Sequence, residues 1–137
     1  MKNILLADDD PLLIQVYSNK LKSAGYKVES AQSGEEILRK LLEKKFDLVL
    51  LDIVLPEISG WEVLEKIKEH CLENESFRET GKSKFKNLEG LKIVIVSNLG
   101  QRSEVEKGLK LGAVKYLVKS HYTPSQILEE VKQVLPL

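Results

Sequence analysis

The chain has 137 residues, 42% of them hydrophobic, which is enough for one domain with a substantial core. Lysine plus arginine and aspartate plus glutamate balance at 21 each, so no global charge points to nucleic acid or an acidic membrane as a direct partner. The lone cysteine, Cys71, excludes an internal disulfide, no apolar run has the length of a signal peptide or a membrane span, and the expectation is a cytoplasmic domain.

In chain order, the first apolar run is Ile4–Ala7, and it passes directly into Asp8, Asp9, Asp10 and Pro11. Two carboxylates about 5 Å apart repel by roughly 3 kcal/mol at an effective dielectric of about 20. Three in a row therefore imply a counterion or a local use. Asp10 has the local use: aspartate is a good N-cap and proline suits the first helical position. Leu13, Val16, Leu21 and Ala24 would lie on the helix that follows. Asp8 and Asp9 remain to be explained.

A second strand is expected over Tyr26–Ala31, then a helix opened by the capping box Ser33-x-x-Glu36 with the stripe Ile37, Leu38, Leu41 and Leu42. Leu48–Leu51 is the third strand and stops at Asp52. Ser59-x-x-Glu62 opens the next helix, with Val63, Leu64 and Ile67 on one face. The following stretch, "LENESFRETGKSKFKNLEG" (Leu72 to Gly90), is polar and weakly periodic and reads as a long loop at about 72–90. Its basic residues suit either solvent or contact with a partner. Ile93–Val96 forms the fourth strand ahead of Ser97, and Ser103-x-x-Glu106 predicts the cap of a fourth helix. Tyr116–Val118 is the fifth strand and is followed by Lys119. Thr123, Pro124 and Gln126 open a last helix carrying Ile127, Leu128, Val131, Val134 and Leu135.

Strands one, three and four are aliphatic throughout instead of alternating, as in a parallel sheet covered on both faces. The pattern is α/β, a (βα)5 doubly wound sheet with right-handed crossovers, in a single domain over 1–137. Ligands of such sheets sit outside the carboxyl ends of the strands. Asp8, Asp9, Asp52, Ser97 and Lys119 all fall there. Three carboxylates suit a hard divalent cation such as Mg2+ or Mn2+, and Ser97 and Lys119 would face an anion recruited by the metal. Each residue alone has an ordinary structural use; their joint placement carries the argument.

The segments "LLADDDP", "LVLLDIVLPEISGWEVL", "VIVSN" and "LGAVKYLVKS" resemble the response-regulator receiver domains, the CheY-like family, over essentially the whole chain. Asp52 followed by Pro56 and Gly60, and the interval of 22 residues from Ser97 to Lys119, match that family's spacing. The resemblance implies a flavodoxin-like sheet of strand order 2-1-3-4-5. It implies that Asp52 is the phosphoacceptor, that Asp9 binds the metal directly and Asp8 through water, and that the Val54 backbone carbonyl completes the protein ligands. Lys119 would bind the phosphoryl group, Ser97 would be the switch hydroxyl and Tyr116 the aromatic switch. Val54 and Leu99, two residues beyond Asp52 and Ser97, together with Asn98, would set the lifetime of the phosphorylated state.

The implied role is a signalling phosphoacceptor, not an enzyme. Its donor would be a histidine kinase, a phosphotransfer protein or a small acyl phosphate. Its output would be a downstream protein target, with a homodimer through the helix 4–strand 5–helix 5 face as a further option. No output segment follows the fifth helix in this sequence: a full-length chain would act by phosphorylation-dependent protein contact, whereas a fragment would be followed by a DNA-binding or enzymatic effector. Three features depart from the family: Ser120 stands where a proline after a cis peptide bond is usual, Asn98 replaces a small residue, and the interval from Asp52 to Ser97 is long. Two other readings compete. One is a constitutive pseudo-receiver; the other is a haloacid-dehalogenase-type phosphatase with Asp8 as nucleophile and Asp10 as general acid, which leaves Asp52 idle.

Overall fold

The computed structural model describes residues 2–78 and 88–137, the side chains of residues 70–78 excepted. Five strands alternate with five helices: β1 Asn3–Ala7, α1 Pro11–Ser23, β2 Lys27–Ala31, α2 Gly34–Glu43, β3 Leu48–Leu51, α3 Gly60–Arg78, β4 Lys92–Ser97, α4 Arg102–Lys110, β5 Lys115–Val118 and α5 Pro124–Val134. The strands form one parallel sheet in the order β2-β1-β3-β4-β5. This is the doubly wound, flavodoxin-like arrangement expected from the sequence.

The aliphatic strands are buried on both faces because successive side chains point to opposite sides. Leu5, Val49, Leu51, Ile93 and Ile95 meet Ile37 and Leu41 of α2 and Val63, Leu64 and Ile67 of α3. Ile4, Leu6, Leu48, Leu50, Val94 and Val96 meet Tyr17 and Leu21 of α1 and Ile127 and Val131 of α5 on the other face. Each such side chain, fully buried, stabilises the fold by roughly 1.5–3 kcal/mol. The Tyr26 hydroxyl donates to the Leu135 carbonyl at 2.6 Å, tying the end of α5 to the start of β2.

Local signals set most helix starts. Asp10 Oδ1 accepts from the Leu12 N–H at 2.9 Å, with Pro11 beginning α1. Ser33 and Ser59 accept from the N–H groups of Glu36 and Glu62, and Thr123 and Gln126 satisfy each other's backbone. The Ser103 cap is not made. Helix α4 starts two residues before the expected Ser103-based site, with Gln101 as its N-cap; its N–H donates to the Glu104 carboxylate at 3.2 Å, and Ser103 lies within the first turn. Glu104 and Glu106 offer two registers for such a cap. The structure uses the earlier one.

The long loop expected over 72–90 also needs correction. Helix α3 continues through Leu72 to Arg78. Leu88 is buried in a short turn that leads to β4, and residues 79–87 lie outside the described residues. A helix already nucleated by Val63, Leu64 and Ile67 gains one hydrogen bond per added residue, so it can outrun its apolar stripe.

Candidate functional site

The parallel ladder brings two aspartates side by side at the carboxyl edge. The pairing of β2-β1-β3 runs one residue beyond the strands: the Asp8 N–H donates to the Ala31 carbonyl at 3.1 Å and the Asp52 N–H to the Ala7 carbonyl at 2.9 Å. Asp8 and Asp52 are both buried. Lys119 leaves the end of β5 and reaches back across the edge. Its Nζ lies 2.7 Å from Asp8 Oδ2 and 2.9 Å from Asp52 Oδ2. The other oxygens are also engaged: Asp8 Oδ1 accepts from the Asp10 N–H at 2.9 Å and Asp52 Oδ1 from the Val54 N–H at 3.2 Å.

The loop after β3 is held close to this pair. The Gly60 N–H donates to the Ile53 carbonyl at 2.7 Å, and a Cβ at Gly60 would lie 2.5 Å from the Asp52 carbonyl oxygen. Only glycine permits that approach. The Asp52, Pro56 and Gly60 spacing therefore has a steric reason.

Burial disfavours the ionised form of Asp52 and raises its pKa, with Lys119 opposing that shift and Asp8 adding to it. Burial alone would lower the pKa of Lys119, but its hydrogen bonds to Asp8 and Asp52 outweigh it and the net shift is upward. The lysine is held charged. One cation thus serves two carboxylates.

Carboxylate oxygens of Asp8, Asp9 and Asp52 all lie within 4.8 Å of one another. Asp9 is the exposed member beside the buried pair. A hard oxygen donor set, part buried and part open, fits an ion that retains several waters, as Mg2+ does. Asp8, Asp9, Asp10, Leu13, Asp52, Val54, Asn98 and Lys119 line a single open cleft of about 270 Å³. The acidic edge, the lysine and the cleft are one site.

The response regulator receiver domain profile matches residues 4–132. The chain belongs to this family. It is 30% identical over 132 residues to the probable transcriptional regulatory protein SilR of Salmonella typhimurium, covering 96% of this chain and 50% of that protein. It is 28% identical over 134 residues to the chemotaxis protein CheY of Thermotoga maritima, covering 97% of each. The crystal structure of the Thermotoga maritima response regulator protein TrrA in complex with Mg2+-BeF is 30% identical with a TM-score of 0.75, covering 98% of this chain and 100% of that one. The chain spans about half the length of the first curated relatives it matches.

In this receiver domain the switch candidates lie beside the cleft and are linked through the β4–α4 loop. Ser97 ends β4, is fully buried, and accepts from the Leu99 N–H at 3.2 Å. Its own O–H remains a donor, since a hydroxyl carries one proton and two lone pairs. The Tyr116 hydroxyl donates to the Leu99 carbonyl. Burial raises the Tyr116 pKa, and the Ser97 hydroxyl acts in the opposite sense. Of the residues expected to govern lifetime, Val54 and Asn98 are exposed in the cleft, whereas the Leu99 side chain packs against the core. Leu99 is not among the residues that line the cleft: the turn after Ser97 directs its carbonyl to Tyr116, and its half-buried side chain rests on the core. Among the described residues there is no cis peptide bond, and Lys119, Ser120 and His121 form a 3-10 turn.

Two further residues belong to the surroundings, and one contact ties α4 to α3. Leu13 lines the cleft although its spacing marks it as core. Tyr17 is buried in α1 within the electrostatic reach of Lys119, Asp8 and Asp52; burial raises its pKa, and Lys119 opposes this. The apolar periodicity of α1 accounts for its burial and carries no hint of its charged neighbours. Lys107 of α4 lies 4.5 Å from the ring centroid of Trp61 in α3, a cation–π tether between helices far apart in sequence. Among the described residues no helix is long and apolar enough to cross a membrane.

Proposed function

We propose that this receiver domain accepts a phosphoryl group on Asp52, with Mg2+ or Mn2+ held by Asp8, Asp9, Asp52 and the Val54 backbone carbonyl. The observation that carries the reading is the Lys119 ammonium bridging Asp8 and Asp52 at the mouth of an acidic cleft. When bound, the metal supplies positive charge to the oxygens of the transferring group. Lys119 opposes the upward shift that burial imposes on Asp52 and so favours the ionised form a nucleophile requires. An Asp52 oxygen forms the new bond to phosphorus while the bond to the donor breaks. The donor leaves with that electron pair, as the imidazole of a phosphohistidine or the carboxylate of an acyl phosphate. Lys119 then turns its hydrogen bond from the Asp52 oxygen to the phosphoryl oxygens.

The added group brings about −1.5 to −2 charge and new acceptor oxygens. Ser97 can turn its O–H from Tyr116 to them while still accepting from Leu99, and the β4–α4 loop adjusts around this contact. Tyr116, on the Leu99 carbonyl, passes the change to the face formed by α4, β5 and α5, the surface offered to a protein target or a second copy. A histidine kinase or phosphotransfer protein is the donor that fits this chemistry.

The test is incubation with acetyl phosphate, with and without Mg2+, followed by intact-mass analysis. One phosphoryl group should be added only with Mg2+ and only when Asp52 is present. Equal modification of Asp52→Asn, or a parent that stays unmodified, would overturn the proposal; the second outcome would favour a constitutive binding module.

A further inference from the structure

The Tyr116 ring lies beneath α4, and what makes room for it is a missing side chain. Ile95 of β4 and Tyr116 of β5 are paired across the sheet and present their side chains to the same face. Gly108, the buried residue of α4, lies directly over them. A Cβ there would come 2.6 Å from Ile95 Cδ1, 2.8 Å from Tyr116 Cδ2 and 3.2 Å from Tyr116 Cε2. Ile95 is fully buried, and although its Cδ1 is the end of a side chain, the tyrosine ring has no flexible end at Cδ2 and must itself shift. Glycine inside a helix is less favourable than alanine, because it gives up more backbone freedom on folding. Here that cost coincides with a contact that alanine could not make.

The helix is also held over the ring from two sides. Lys107, the preceding residue, rests on Trp61 of α3, and the Tyr116 hydroxyl grips the Leu99 carbonyl ahead of the helix. We propose that Gly108 is the positioning residue for the switch: it opens the space under α4 that lets Tyr116 occupy its inward position before a phosphoryl group arrives. The proposal rests on the reading above, in which Asp52 is phosphorylated and Tyr116 follows Ser97. It adds that the tyrosine does not wait for phosphorylation to move in. The unphosphorylated domain already holds the ring under α4, and phosphorylation strengthens a state that Gly108 makes accessible. A ligand can shift such an equilibrium only by its differential affinity for the two states, so a ring already inward leaves a smaller change for phosphorylation to drive.

The experiment uses the full chain labelled with 3-fluorotyrosine, the Tyr116 resonance being assigned among the four tyrosines with Tyr116→Phe. Spectra are recorded for the parent and Gly108→Ala, alone and during titration with beryllofluoride in Mg2+. The parent Tyr116 resonance should move little on titration, and the fluorine signal of bound beryllofluoride gives the midpoint. Gly108→Ala should shift it to a solvent-exposed position without beryllofluoride and raise the titration midpoint by roughly tenfold. If Gly108→Ala fails to fold, Gly108→Ala combined with Ile95→Val removes the Cδ1 contact and leaves the ring as the obstacle. The same displacement is expected there. A resonance and midpoint unchanged by the alanine would overturn the proposal, as would a parent ring that is exposed until beryllofluoride binds. A parent that shows no signal of bound beryllofluoride would sink the phosphoacceptor reading instead, while the comparison of the two unliganded spectra would still judge Gly108.

Discussion

Replacing Lys119 by methionine removes the cation that two buried carboxylates share. Its Nζ lies 2.7 Å from Asp8 and 2.9 Å from Asp52, and the three side chains are only 11%, 3% and 7% exposed. Taking one partner from a buried ion pair costs about 3–5 kcal/mol, because the remaining charge is stranded where water solvates it poorly. Methionine retains much of the packing of the lysine stem, so the loss is chiefly electrostatic. In a domain of this size about 1 kcal/mol moves Tm by roughly 3–4 °C, so the metal-free variant should melt about 10–20 °C below the parent.

The loss should depend on pH. Burial already raises the pKa of Asp52 against the pull of Lys119, and removing the lysine lets it rise further. A carboxyl whose folded pKa exceeds its unfolded value favours the folded state at low pH and loses that advantage as pH climbs through the folded pKa. The gap between variant and parent should therefore be smaller at about pH 5 than at about pH 8. Thermal melts followed by circular dichroism, with EDTA and with millimolar Mg2+, measure both effects. Mg2+ should raise the Tm of Lys119→Met more than that of the parent, since it restores positive charge beside Asp8 and Asp52. A gap unaffected by both pH and Mg2+ would refute this reasoning and leave stem packing as the lysine's contribution.

The neighbouring aspartates should separate by role. Asp10→Ala should lose about 1 kcal/mol in denaturant melts through the missing N-cap, while Asp9→Asn should raise Tm without Mg2+ and weaken Mg2+ binding measured by titration. The reverse ordering would mean their roles are exchanged. Val54 is 57% exposed in the cleft beside Asp52, and its apolar side chain cannot orient a water. Val54→Asn should speed phosphoryl loss by up to roughly tenfold, short of the 10²–10⁴-fold typical of a true general base. Intact mass followed after donor removal gives the rate; decay no faster than the parent's would show that water access at residue 54 does not set the lifetime.

Much of the architecture was readable because it follows from short-range physics. Both-face burial writes continuous aliphatic runs, so β1, β3 and β4 were visible as parallel strands. Caps are local, and Asp10, Ser33, Ser59 and Thr123 sit where their spacing placed them. The same reasoning misplaced the start of α4, whose N-cap is Gln101, its N–H donating to the Glu104 carboxylate, and not Ser103. It also ended α3 too early, by equating the loss of an apolar stripe with the end of a helix.

From the sequence alone came the layer order, the strand-end chemistry and the convergence of Asp8, Asp9, Asp52, Ser97 and Lys119 on one edge. Sheet periodicity and the rule for parallel strand ends are enough to deduce these. Tertiary structure decided which atoms meet. Lys119 and Asp8 are 111 residues apart, yet their hydrogen bond is 2.7 Å long, and no local pattern specifies that the lysine bridges both Asp8 and Asp52. Nor does the sequence say that Leu99 turns its side chain to the core and its carbonyl to Tyr116, or that the glycine in α4 lies over a tyrosine ring. Local rules read the spacing of residues along one element. Contacts between elements depend on how the helices settle on the sheet, and a shift of an ångström there decides whether a hydrogen bond or a Cβ fits.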